Sequence, residues 1–135
     1  MADFSVDVAS WVDKALMRAE QAFQATAQGA VNRVKDLTPV KTGYLRANWT
    51  AIHAGDAEPT PGAVPDAMDA ISSAPLGSTL VVLNPVVYAR RVEYGFVGED
   101  SLGRHYNQPG RHMTQQTVSE MPSIAEAAVE LVVSE

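Results

Sequence analysis

The chain has 135 residues, 46% of them hydrophobic and 19% charged, no cysteine, and sixteen acidic against ten basic side chains for a net charge of −6. A chain of this length buries roughly two thirds of the surface its unfolded form exposes, so a single domain, residues 1–135, with one apolar core is expected without a disulfide or metal staple. Missing cysteine excludes a disulfide framework, a thiolate nucleophile and a cysteine-ligated zinc site, and the acid excess argues against general attraction to nucleic acid or anionic lipid.

The chain opens on MADFSVDVAS, which has neither a basic start nor an apolar h-region. No apolar run approaches the roughly eighteen residues of a membrane span, so no membrane contact and a cytoplasmic site of synthesis and assembly are expected. From Val8 the apolar positions run Trp11, Val12, Ala15, Leu16, Ala19, Phe23, Ala27, Ala30, Val31 and Val34. Steps of three and four predict one amphipathic helix over residues 5–36. Its length, roughly 45 Å, exceeds what a domain of this size needs for itself, so it serves either as a core helix or partly as a surface for a neighbour. Gly29 costs helix stability, and with Ala25, Ala27 and Ala30 around it, it admits a close approach by another element. Thr38-Pro39 ends the helix, because the residue before a proline is pushed out of the helical region.

In TPVKTGYLRANWTAIHA, Gly43 suits a turn with positive φ, and residues 48–54 read as a strand with apolar residues on both faces. Residues 55–65, GDAEPTPGAVP, hold three prolines and two glycines and are expected to form a mobile surface loop. DAMDAISSA then predicts a short helix with Asp66 in its first turn, and STLVVLN a fully buried strand. Asn84 and Pro85 look like the start of a helix over PVVYARRVEY, closed by Gly95. On it Tyr88 and Val92 share one face, Arg90 pairs with Tyr94 and Glu93 at helical spacing, and Arg91 points elsewhere. The following FVGEDSLGRHYNQPG reads as loop. Residues 112–133 form a terminal helix with a stripe of Val118, Met121, Ala125, Ala128, Val129 and Val132, which Pro122 either kinks or divides. The fold expected is α+β: a long N-terminal and a C-terminal helix packed on a small, mainly antiparallel sheet.

Chemistry is sparse. No serine is backed by histidine, no carboxylates pair convincingly, and His53, His105 and His112 do not match common metal-ligand spacings. No catalytic residue, metal, cofactor or small-molecule substrate is therefore implied. The arginines and tyrosines of VYARRVEYG fit either a base-stacking patch or an oligomer contact. Charge is segregated: after Arg18 every basic residue falls in residues 33–46 or 90–111, while residues 112–135 carry four acids and no lysine or arginine. These are either ordinary solvated surfaces or complementary patches that fix the register of an assembly.

Taken together, TPVKTGYLRANW, a strand ending in asparagine before VYARRVEYG, and PGRHMTQQTV opening the last helix resemble the tail-completion and head–tail neck proteins of long-tailed bacteriophages, a group that includes the lambdoid minor tail protein Z. The matching positions are Thr38, Pro39, Thr42, Gly43, Leu45, Tyr88, Ala89, Glu93 and Gly95. The resemblance covers about residues 37–120 and departs in the loops at 55–65 and 96–110. It implies a non-enzymatic morphogenesis protein of a phage or prophage-derived particle, assembled in the host cytoplasm into a virion neck or tail. There it would form a ring, expected to be hexameric, against other head–tail connector and tail proteins. A tail-terminator ring is the alternative within that biology, and a cytoplasmic nucleic-acid-binding module the alternative outside it. Thr38, Pro39, Thr42, Gly43, Tyr88, Arg90, Arg91, Glu93 and Tyr94 are the expected oligomer interface. Arg33, Lys35, Lys41 and Arg46 are an electrostatic patch, facing either a neighbouring copy or DNA in the lumen.

Overall fold

The computed structural model describes residues 4–41 and 43–134. Helix α1 (Phe4–Leu37) is followed by the four-residue helix α2 (Tyr44–Ala47), strand β1 (Thr50–His53), helix α3 (Ala67–Ser72) and strand β2 (Leu80–Leu83). Helix α4 (Ala89–Tyr94), strands β3 (Gly95–Glu99) and β4 (His105–Pro109), and helix α5 (Met113–Val133) complete the chain. The class is α+β. The antiparallel strands form two separate pairs rather than one sheet, β1 with β2 in the register Thr50 to Leu83 and β3 with β4 in the register Gly95 to Pro109.

The C-terminal half of α1 is the spine of the core. Val31 meets Ala51, Ala67 and Ile71, so α1, β1 and α3 close on one another, while Val34 meets Trp49 and Met113 and draws in the start of α5. Each of the valines, Ile71 and Met113 contributes about 1.5–3 kcal/mol on burial and the alanines less, which offsets the backbone entropy of these short elements. Gly29 marks where α5 crosses α1, since a Cβ built there would lie 2.7 Å from Ile124 Cγ2. The approaching element that the small residues around Gly29 imply is therefore α5.

A buried polar hub locks the end of α1. Thr38, 4% exposed, accepts from the Trp49 indole at 2.7 Å, donates to the Val34 carbonyl at 2.5 Å and lies 3.3 Å from Met113 Sδ. Two asparagines staple the next turn. The Asn48 amide donates to the Tyr44 carbonyl and its Oδ1 accepts from Gly62 N–H, and the Asn84 amide donates to the Leu45 carbonyl. Gly43 takes φ 81 before α2, the left-handed turn that its position required.

Four expectations need correction. The helix over PVVYARRVEY has six residues rather than ten and starts at Ala89, because Asn84 Oδ1 caps only a local turn at Val86 N–H while its amide is engaged with Leu45. Residues 95–109 are a hairpin, not a loop. Strand β2 is half-buried, with Val81 40% exposed, because its sheet has only two strands and one covered face. The buried stripe of α5 runs through Met113, Thr117, Ala128 and Val132, with Ile124 against α1, and leaves Val118 68% exposed. The helix continues through Pro122.

The loop at 55–65 is irregular and mostly exposed, and two anchors hold its far end: Asn48 on Gly62, and the Thr50 hydroxyl donating to the Pro65 carbonyl at 2.6 Å. At the tip of the β3–β4 hairpin, Asp100 accepts from the Leu102 and Arg104 backbone N–H groups, the Arg104 guanidinium and the Tyr106 hydroxyl. These donors, the Arg104 backbone first, hold the Asp100 carboxyl below its ordinary value.

Candidate functional site

The end of α4 and the start of α5 are clasped together. Arg111 N–H donates to the Val92 carbonyl at 2.7 Å and His112 N–H to the Glu93 carbonyl at 3.0 Å. The Glu93 carboxylate then accepts from Thr114 N–H at 2.9 Å and Gln115 N–H at 3.2 Å, the first free donors of α5. Helix α5 needs this: its own N-cap residue, His112, sits at φ 51 with no side-chain cap. Burial pushes the Glu93 carboxyl up, but the Thr114 and Gln115 donors and nearby His112 outweigh it and hold the carboxyl below its ordinary value. Gly95 and Gly110 make the crossing possible. A Cβ on Gly110 would lie 2.5 Å from the Glu93 carbonyl oxygen, and one on Gly95 2.7 Å from Gly110 N.

This clasp builds one wall of an open groove of about 480 Å³, lined by Pro39, Lys41, Gly43, Leu45, Tyr88, Arg91, Val92, Gln108, Pro109 and Arg111. Three segments remote in sequence thus converge: the turn after α1, the outer face of α4 and the residues entering α5. The lining includes three cations, Lys41, Arg91 and Arg111, and no acid. The Arg91 guanidinium lies 4.0 Å from the centroid of the Phe96 ring, which holds it in place by cation–π contact.

The expected interface residues separate into three groups. Pro39, Gly43, Tyr88 and Arg91 line the groove, and Arg91 shares the Tyr88 and Val92 face rather than pointing elsewhere. Arg90 and Tyr94 lie on the other side of α4, with the guanidinium 5.6 Å from the ring centroid and Tyr94 67% exposed. Thr38 and Glu93 are buried in the polar hub and the clasp. Thr42 lies outside the described residues.

The basic patch also divides. Arg33 bonds both oxygens of Glu120, at 2.7 and 3.2 Å, joining α1 to α5 within one chain. That hydrogen bond raises the Arg33 pKa and lowers that of Glu120. Arg46 lies 3.8 Å from Asp36, Lys35 is half-exposed on α1, and only Lys41 of the four reaches the groove. Arg111 and Gln108 belong to the groove but not to the set singled out from the sequence; the Pro-Gly pair immediately before Arg111 was the available signal that the backbone is pinned there.

At the opposite end of the molecule residues 7–19 of α1 are exposed on every side. Trp11 is 70% exposed, Leu16 55% and Met17 59%, alongside Leu131 and Val133 at the end of α5. No group of three or more potential metal ligands gathers among the described residues, and none of their helices is long and apolar enough to cross a membrane. Comparison of the chain with protein families, curated proteins and solved structures finds no match.

Proposed function

We propose that this chain is a non-enzymatic structural subunit of a bacteriophage or prophage-derived particle, a ring-forming tail-completion or neck protein that joins the tail to the head connector. The observation that carries the reading is the free end of α1. Its apolar stripe continues through Val8, Trp11, Val12 and Leu16, which lie 40–70% exposed rather than packed into the core. Helical segments of this length are marginal in water without tertiary packing, and contiguous exposed apolar surface marks an interaction site. A subunit that gains its missing packing from neighbours fits both facts. Convergence of the three resembling segments on one groove supports the same reading, since it gives those residues a common surface.

The second reading, a nucleic-acid-binding module, is favoured by one observation: three cations without a neighbouring acid in the groove. The two are separated by Trp11→Asp with Leu16→Asp. Both side chains are already exposed, so the far-ultraviolet dichroism of the variant should match that of the native chain while sedimentation shows assembly lost. Native assembly by the variant would remove the support that the arm gives, and salt-sensitive binding of duplex DNA by a monomer would favour the module.

A further inference from the structure

We infer that the groove of Lys41, Arg91 and Arg111 receives the acidic end of α5 from a second copy of this chain, an inference that rests on the ring-subunit reading. The groove has the right chemistry for an acidic, partly apolar segment. Its cations stand over apolar walls of Pro39, Val92 and Pro109, and its volume of about 480 Å³ is that of a peptide-sized or ligand-sized pocket. Among the described residues none of the three cations forms an ion pair with an acid of its own chain. In a chain of net charge −6 that arrangement is not a by-product of excess base.

The complementary surface is on α5. Glu126 and Glu130 are exposed and one helical turn apart, and Val129 and Val133, 48% and 63% exposed, occupy the same face. Two carboxylates therefore alternate with two valines, and the groove likewise combines three cations with apolar side chains. The last turn of α5 contains no basic residue, so the negative end of the helix dipole is also uncompensated.

Geometry decides whose α5 it is. The helix begins at Met113, two residues past Arg111, and its 21 residues carry its end about 30 Å from the groove. A continuous helix cannot fold back, so a chain's acidic end cannot enter its own groove. One copy's acidic end in the next copy's groove is a head-to-tail contact, the type that closes into a ring when its rotation permits. Of the other basic residues expected in the electrostatic patch, Arg33 pairs with Glu120 and Arg46 lies 3.8 Å from Asp36 within the chain.

The test is a charge exchange in the full-length chain. Arg91→Glu with Arg111→Glu, and separately Glu126→Lys with Glu130→Lys, should each raise the concentration for half-assembly by roughly tenfold or more. An equimolar mixture of the two should recover assembly, because every groove then finds an end of opposite charge. Unaltered assembly by the single-sided variants, or a mixture that fails to recover, would overturn the inference while native assembly leaves the ring reading standing. A native chain that stays monomeric at every concentration would instead overturn the ring reading, and the inference with it. If Arg91→Glu with Arg111→Glu assembles normally but loses salt-sensitive retention of duplex DNA, the groove belongs to nucleic acid and the inference fails. Should that variant not fold, Glu126→Lys with Glu130→Lys decides alone, because both side chains are exposed on α5, off its buried stripe.

Discussion

Replacing Glu93 by alanine tests whether this residue is an internal fastener or part of a contact between copies. The side chain is 6% exposed and accepts from two backbone N–H groups, at 2.9 and 3.2 Å, at the start of a 21-residue helix without a side-chain cap of its own. A hydrogen bond to a charged group contributes about 1.5–3 kcal/mol; the lower bound for each bond, since the second is long, gives about 3 kcal/mol lost in Glu93→Ala. An ordinary helix cap contributes about 0.5–2 kcal/mol, so a loss above that range is the mark of donors left unpaired in a closed site. For a chain of this size the loss corresponds to roughly 10 °C in Tm. Glu93→Gln keeps one acceptor but sets an amide NH₂ against the second donor, and should cost about 2 kcal/mol.

The pH dependence has a definite sign. Because the folded-state pKa of Glu93 lies below its ordinary value of 4.5, its stabilisation is complete above that value and is lost as pH falls through the folded-state pKa. The deficit of Glu93→Gln against the native chain should therefore be full at neutral pH and shrink on acidification below 4.5. Urea unfolding followed by far-ultraviolet dichroism, repeated across that range, measures it. A loss under about 0.5 kcal/mol for Glu93→Ala, typical of an exposed surface site, would refute the clasp. So would a glutamine deficit that does not change with pH.

Gly29→Ala gains about 1 kcal/mol of helix propensity, but the new methyl meets Ile124 Cγ2 at 2.7 Å on a stiff β-branched side chain; overpacking of about 1–3 kcal/mol should win, leaving the variant less stable in thermal unfolding. Glu120→Gln should lower stability in dilute buffer and lose most of that difference in high salt, because the Arg33 pair is part-exposed and screened; a salt-independent deficit would mean that the pair acts through packing. Limited proteolysis of the isolated subunit should cut the loop between residues 55 and 60 before residues 62–65, which Asn48 and Thr50 anchor; early cleavage on the anchored side would contradict those bonds.

The long helix was legible in the sequence because a three-and-four spacing sustained to Val34 has no other reading, yet the same stripe could not reveal that its first half lies bare. Burial depends on what arrives from elsewhere in the chain, and α5 ends opposite Gln21 and Gln24. The hairpin at 95–109 escaped notice because HYNQP has no aliphatic residue to alternate with its polar ones and Gly98 interrupts the other strand, so no period of two survives; its pairing is fixed instead by Asp100 gathering four donors at the tip. Asn84 has the composition of a helix cap but spends its amide on Leu45, a partner 39 positions away that spacing cannot expose. Of the candidate residues, Tyr88 and Arg91 were recognisable as surface by type. Glu93 was not recognisable as a cap, though the lack of Ser, Thr, Asp or Asn immediately before Met113 signalled that α5 must be capped from outside.

The central claim, that the chain is a ring-forming structural subunit, is tested most directly by the mass of the native full-length protein under non-denaturing conditions over a range of concentrations. The account predicts one closed assembly of fixed subunit number, expected to be six, that forms without nucleic acid. A monomer at every concentration, or an open series of sizes with no preferred count, would contradict it.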